Sequence, residues 1–177
     1  MIDFENIICS RGIPIKNSGD KYYMSLFEDS GSICVSVYND NLAGIGHGDC
    51  EERGDIFTLE EIDKIWYIMF YDEYMIYDHE DNAINFIKTI PTKDQRLEFH
   101  QDENHKSIMT ISKWKQPNEY FVIDWIRRSN GWIHIDKNGD PMRFQLVKYN
   151  STKAQKRKPA SYGPARNTLL TKFPRRQ

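Results

Sequence analysis

The chain has 177 residues, 39% of them hydrophobic and 13% aromatic, and its 24 Lys and Arg against 26 Asp and Glu leave a net charge of −2. That is enough apolar material for one compact domain with an appendage. No apolar run approaches the roughly 18 residues needed to cross a bilayer. The opening MIDFENIICSRG lacks the charged and apolar regions of a secretory signal.

Cys9, Cys34 and Cys50 are odd in number and have no C-x-x-C spacing. They argue against a disulfide framework or a zinc site, and for a reducing, cytoplasmic setting. The near-zero net charge hides a gradient. Residues 1–105 carry 22 acids against 8 bases (−14), residues 106–150 carry 4 against 8 (+4), and residues 151–177 carry none against 8 (+8). Such asymmetry points to a nucleic-acid or acidic partner for the basic part, to a basic protein partner for the acidic part, or to pairing of one part with the other, in one copy or between copies of a homo-oligomer.

Taken in order, Ile7-Ile8-Cys9 is a short apolar run that suggests a first strand. KYYMSLFED, SGS and ICVSVYND over 21–40 read as a hairpin. Gly31 can supply positive φ in its turn. Ile33, Val35 and Val37 fall on one face of the second strand and Cys34, Ser36 and Tyr38 on the other, as in a half-buried strand. Residues 40–57 read as a loop with Gly44, Gly46, Gly48 and Gly54. The spacing fits no phosphate-binding motif, and Asp49, Glu51, Glu52 and Asp55 would repel phosphate, so a surface loop is the expectation.

Thr58-Leu59-Glu60-Glu61 has the form of a capping box. Leu59, Ile62, Trp66, Met69 and Phe70 follow at helical spacing. These predict a long amphipathic helix from 59 to about 76. Its segment Trp66–Tyr77 is apolar nearly all round, which implies burial on two sides or a partner contact. Ala83–Ile90 reads as a strand ended by Pro91, and 93–106 as a helix or a long loop.

Residues 107–149 alternate β-branched and aromatic runs with turns, two of which hold Asn-Gly. They predict a four-stranded antiparallel meander. After residue 150 prolines and bases dominate and apolar residues are few, so 151–177 reads as a basic tail that is disordered or ordered by a partner. No internal repeat stands out. The expected architecture is therefore α+β, mainly antiparallel sheet, in one domain over 1–150. It comprises an N-terminal hairpin, one long helix, a C-terminal four-stranded meander and an extended basic tail.

No catalytic signature accounts for the chain. His100 and His105 flank Asp102 and Glu103, but a spacing of five places them on different sides of a helix, away from the i,i+4 geometry of helical metal pairs. His47 and Cys50 could act as base and nucleophile, without a third group to orient them. Glu61-Ile62-Asp63-Lys64 lacks the E-x-K of metal nucleases. Asp136–Asp140 begins like a calcium loop but has Val147 where the bidentate Glu belongs. No cofactor or metal is expected. An unrecognised enzyme site would draw on His47, Cys50, His100 and His105.

The meander instead suggests a binding surface. Phe121, Ile123, Trp125, Ile133, Ile135, Phe144 and Leu146 would form a core face. The opposite face would carry Tyr120, Asp124, Arg128, Trp132, His134, Asp136, Arg143, Gln145 and Tyr149. Aromatic rings stack bases and guanidinium groups meet phosphate. The expected nucleic-acid surface thus comprises Arg128, Trp132, Arg143 and Tyr149 with Lys153, Lys156, Arg157, Lys158, Arg166, Lys172, Arg175 and Arg176 of the tail. The alternative for those aromatics is packing inside a second layer of the fold.

Overall fold

The computed structural model describes residues 4, 7–9, 12, 15, 18–27, 33–45, 50, 54–127 and 130–149. The tail, residues 151–177, lies outside them, as do Gly31, His47 and Arg128. Twelve strands are described: β1 (Lys21–Leu26), β2 (Ile33–Tyr38), β3 (Asn41–Ile45), β4 (Phe57–Ile62), β5 (Ile65–Phe70), β6 (Glu73–Asp78), β7 (Ala83–Ile87), β8 (Leu97–Gln101), β9 (Ile108–Lys113), β10 (Gln116–Arg127), β11 (Asn130–Asp136) and β12 (Phe144–Lys148). The fold is nearly all β, not α+β. No long helix occurs among the described residues.

The predicted helix at 59–76 is β4, β5 and β6, joined by tight turns. Asp63 and Lys64 take φ of 51° and 66° between the paired Ile62 and Ile65. That is the positive-φ geometry of a two-residue hairpin turn, which Asp-Lys does not advertise. The capping box does not form, because Thr58 lies inside β4, paired with Met69. Along these strands Phe57, Leu59, Trp66, Ile68, Met75 and Tyr77 join the core. The intervening Tyr67, Met69 and Ile76 are buried on the other face. A period of two with both faces sheltered gives an apolar run that imitates helical spacing, and the aromatic and β-branched content favours strands.

Other expectations held in part. The hairpin of β1 and β2 forms, with Ser25 opposite Cys34. The glycine-rich loop begins as β3, which pairs with β2 and β11. A Cβ at Gly44 would lie 2.6 Å from Ile123 Cδ1, the tip of a side chain that would have to move aside. Of residues 93–106, Lys93–Gln95 form a 3₁₀ turn and Leu97–Gln101 form β8. All four strands of the C-terminal part exist, and Phe121 opposite Ile135 and Ile123 opposite Ile133 give most of the expected face, but Trp125, placed there by simple alternation, is 42% exposed beside a bulge in β10. They do not form a simple meander, because β12 leaves β11 to pair with β9 and β1.

That crossing closes the molecule. The ring β1-β2-β3-β11-β10-β9-β12 returns to β1, giving a seven-stranded antiparallel barrel with further strands attached. Closure removes the open edges that an unclosed sheet would expose. The pairings also repeat every four strands, although the sequence showed no repeat. First strand pairs with second (β1·β2, β5·β6, β9·β10) and second with third (β2·β3, β6·β7, β10·β11). The fourth strand joins the first of the next unit (β4·β5, β8·β9, β12·β1). The third strands β3, β7 and β11 meet one another. The result is a trefoil arrangement of three four-stranded units. Its centre is filled by Tyr22, Phe57, Phe99, Phe121 and Phe144, with Phe4, Ile7 and Ile15 added from the N-terminal segment.

Candidate functional site

Where the second and third units meet, three chain segments border an open pocket of about 260 Å³ lined by His79, Lys93, Asp94, Lys113, Trp114, Lys115 and Gln116. His79 follows β6, Lys93 and Asp94 lie in the 3₁₀ turn, and Lys113–Gln116 form the β9–β10 turn. The turn is anchored from both sides. The Trp114 N–H donates to the Arg96 carbonyl at 3.1 Å, and the Lys115 N–H donates to the Glu98 carboxylate at 3.2 Å. Lys115 itself takes φ of 56°, as a two-residue turn demands. The His79 Nε2–H donates to the Asp94 carbonyl at 2.8 Å, tying the 3₁₀ turn to the end of β6.

The Arg96 guanidinium lies 5.6 Å from the Trp114 ring centroid and holds the indole in the cavity wall. Lys113 is largely buried, with its ammonium 4.1 Å from the Tyr77 ring centroid and 3.2 Å from Glu119 Oε1. Asp94 and Glu119 offset two of the three lysine charges. The cavity therefore has a half-buried indole, a small cationic surplus from Lys93 and Lys115, and the donor-acceptor groups of Gln116 and His79. Such a set can hold a flat ring and orient one anionic substituent.

The structure also brings together Ser112, His100 and Glu98 on β8 and β9. His100 Nε2 lies 2.7 Å from Ser112 Oγ and 4.0 Å from Glu98 Oε2. The geometry is wrong for acyl transfer. Ser112 is fully buried and its hydroxyl donates to the Lys113 carbonyl at 3.0 Å, so the imidazole N–H must donate to Ser112 rather than accept from it. Glu98 approaches the same ring nitrogen, whereas a triad acid orients the other one. Burial holds the His100 imidazole below its ordinary pKa, against the opposing pull of Glu98. The group is a hydrogen-bonded network around the buried Ser112, not a catalytic one.

Three of the sequence-derived candidates lie among the described residues. Trp132 is buried at 7% exposure, on the opposite sheet face from Ile133. Arg143 is engaged by Asp102 at 3.0 Å and lies 5.0 Å from the Phe27 ring. Backbone N–H groups of Asn104 and His105, then Arg143, hold the Asp102 carboxyl below its ordinary range. Tyr149 packs on Tyr23 with ring centroids 5.8 Å apart. Arg128, Lys153, Lys156, Arg157, Lys158, Arg166, Lys172, Arg175 and Arg176 lie outside the described residues.

The pairing of Cys50 with a base is closed off, because Cys50 forms a disulfide with Cys34, correcting the expectation of free thiols. A sequence separation of 16 between two lone cysteines carries no motif, so only the fold reveals the pair. His100 and His105 do not assemble a metal site, and no group of three or more His, Cys, Asp or Glu side chains fit to hold a metal occurs among the described residues. His134 sits between Asp124 at 3.4 Å and Asp136 at 3.8 Å on the outer face of β10 and β11. Trp114 and its lysines drew no attention in the sequence, where ISKWKQPN reads as a plain turn.

No protein-family model and no curated protein sequence matches the chain. Solved structures do. A type II water-soluble chlorophyll-binding protein shares the fold with a TM-score of 0.60 at 12% identity, over 82% of this chain and 99% of that one. A GH43 β-1,3-galactosidase matches with a TM-score of 0.58 at 12% identity, over 89% of this chain and 33% of the enzyme. A mosquitocidal holotoxin matches with a TM-score of 0.56 at 9% identity, over 80% of this chain and 20% of the toxin. The chain thus spans a fifth to a third of the latter two. At these identities the likeness is one of fold alone, and the three neighbours differ in what they do.

Proposed function

We propose that the protein is a recognition module whose cavity beside Trp114 binds a small ligand that combines a flat ring face with an anionic group. The observation that carries this reading is the lining itself. A partly exposed indole at Trp114 and the side chains of Lys93 and Lys115 line one depression. Trp114 takes the ring, Lys93 and Lys115 take the charge, and Gln116 and Asp94 fix orientation through hydrogen bonds. Two ligand types share that chemistry, an acidic sugar and a nucleoside monophosphate.

Calorimetric titration of the full chain with glucuronate, uridine monophosphate, glucose and inorganic phosphate tests the reading and separates the sources. Saturable binding of glucuronate or uridine monophosphate, weaker for glucose and for phosphate, is expected. Trp114→Ala should weaken it by roughly 1–3 kcal/mol, the usual worth of one ring-stacking contact. Lys115→Glu should weaken the anionic ligands and leave glucose unaffected. Absence of saturable binding by both anionic ligands, or binding indifferent to Trp114→Ala, refutes it.

A further inference from the structure

The outward face of the β4–β7 sheet is apolar at its centre. Side chains alternate along strands, so with Leu59, Trp66, Ile68, Met75, Tyr77 and Ile84 in the core, residues such as Tyr67, Met69, Tyr74 and Ile76 point away from it. A sheet with the core on one side leaves the side chains of its other side open to water unless something lies across them. Tyr67 is nevertheless 4% exposed, Met69 8% and Ile76 1%. Over the matching face of β1 and β2 the cover is visible, since Cys50 and Ile56 pack on Tyr23 and Cys34. On that face or in the turns beside it stand Glu60, Asp63, Asp72, Asp78, Glu80 and Asp81, against Lys64 and Lys88. Whatever lies over this face must bring both apolar groups and positive charge.

We propose that this face is a docking surface for a basic segment, and that its occupant is the chain's own residues 150–177. Three observations select that occupant, none of which depends on the Trp114 cavity. The first is charge: the segment has 8 Lys and Arg and no acid, complementary to the rim. The second is apolar content: Tyr162, Leu169, Leu170 and Phe173 match a surface of Tyr67, Met69 and Tyr74. The third is position. The Tyr149 N–H donates to the Lys21 carbonyl at 2.9 Å. Lys21 pairs with Thr58, Thr58 with Met69, Met69 with Tyr74 and Tyr74 with Ile87. Residue 150 therefore starts at one end of a cross-strand row that runs through the middle of the face. Adjacent strands lie about 4.8 Å apart, so the row is roughly 24 Å long. An extended chain advances about 3.3 Å per residue and covers that distance in about eight residues.

Methionine oxidation in the full-length chain tests the assignment. Hydrogen peroxide is applied and each methionine is read by mass spectrometry, with Met24 and Met109, buried in the core, as internal controls. The variant carries Lys153→Glu, Lys156→Glu, Arg157→Glu and Lys158→Glu. Several-fold faster oxidation of Met69, with Met24 and Met109 unchanged, is expected in this variant. The same is expected in Glu60→Lys, with partial recovery of protection when the two sets are combined. Unchanged Met69 protection in the tail variant overturns the proposal. So does protection that is lost on dilution of the wild-type chain, which would assign the cover to a neighbouring copy.

Discussion

Opening the Cys34–Cys50 bridge should cost about 3 kcal/mol of stability. The two residues are separated by 16 in sequence, and a cross-link closing a loop of that size removes about 3 kcal/mol of conformational freedom from the unfolded chain. In the folded state the bridge holds Cys50 and Ile56 against Tyr23, Val147 and Tyr149. Its loss therefore also loosens the strip over β1 and β2. The assay is urea unfolding of the protein with and without reductant, with Cys34→Ala/Cys50→Ala as the chemical control. For an m-value near 2 kcal/mol per molar, the midpoint should fall by about 1.5 M. Thiol titration of the unfolded, unreduced chain should find one thiol, that of Cys9. Three thiols, or a midpoint that reduction does not move, would refute the reasoning.

Two further predictions concern stability. Burial holds the folded-state pKa of His100 below the ordinary imidazole value, so the unfolded chain binds the proton more readily. Stability should accordingly fall as pH drops through the unfolded value and level off below the folded one. His100→Gln should flatten that slope in urea midpoints measured between pH 8 and pH 5, and an unchanged slope would count against it. Asp78, Asp102 and Asp136 are shifted downward and act in a separate, more acidic window, where stability is lost as pH falls through their folded values. At Gly131 an added Cβ would lie 2.5 Å from the Asp124 carbonyl oxygen on the paired strand, so Gly131→Ala should destabilise by about 1–3 kcal/mol through overpacking. Thermal unfolding checks it, and a neutral result would show that β10 and β11 separate more easily than their register implies.

Much of the third unit was legible because its turns and alternation agree. Phe121, Ile123, Ile133 and Ile135 share the core face that simple alternation assigns them. The first Asn-Gly is not the turn itself. Asn130 already pairs with Arg127, and Gly131 serves the close approach of Asp124. The register survived because the hairpin is short. The second unit was misread for the opposite reason. Asp63-Lys64 hides a turn, and Tyr67, Met69 and Ile76 fill the positions where an ordinary half-exposed strand would show polar residues. Neither the crossing of β12 nor the Trp114 cavity could be read locally. Both depend on segments distant in sequence meeting in space, as does the disulfide.

The pairing that closes the barrel joins its first and last strands, with Tyr22 opposite Lys148. Contacts of such long sequence span are slow to form, because the whole intervening chain must be ordered before they contribute. During synthesis at roughly 5–20 residues per second, β1 is made well before its partner β12 leaves the ribosome. Until then the β12-facing edge of β1 stands open, a template for pairing with other chains. The yield of soluble protein should therefore be governed by how quickly the final strand arrives, and mutations in β12 that leave the finished barrel stable can still divert nascent chains into aggregates.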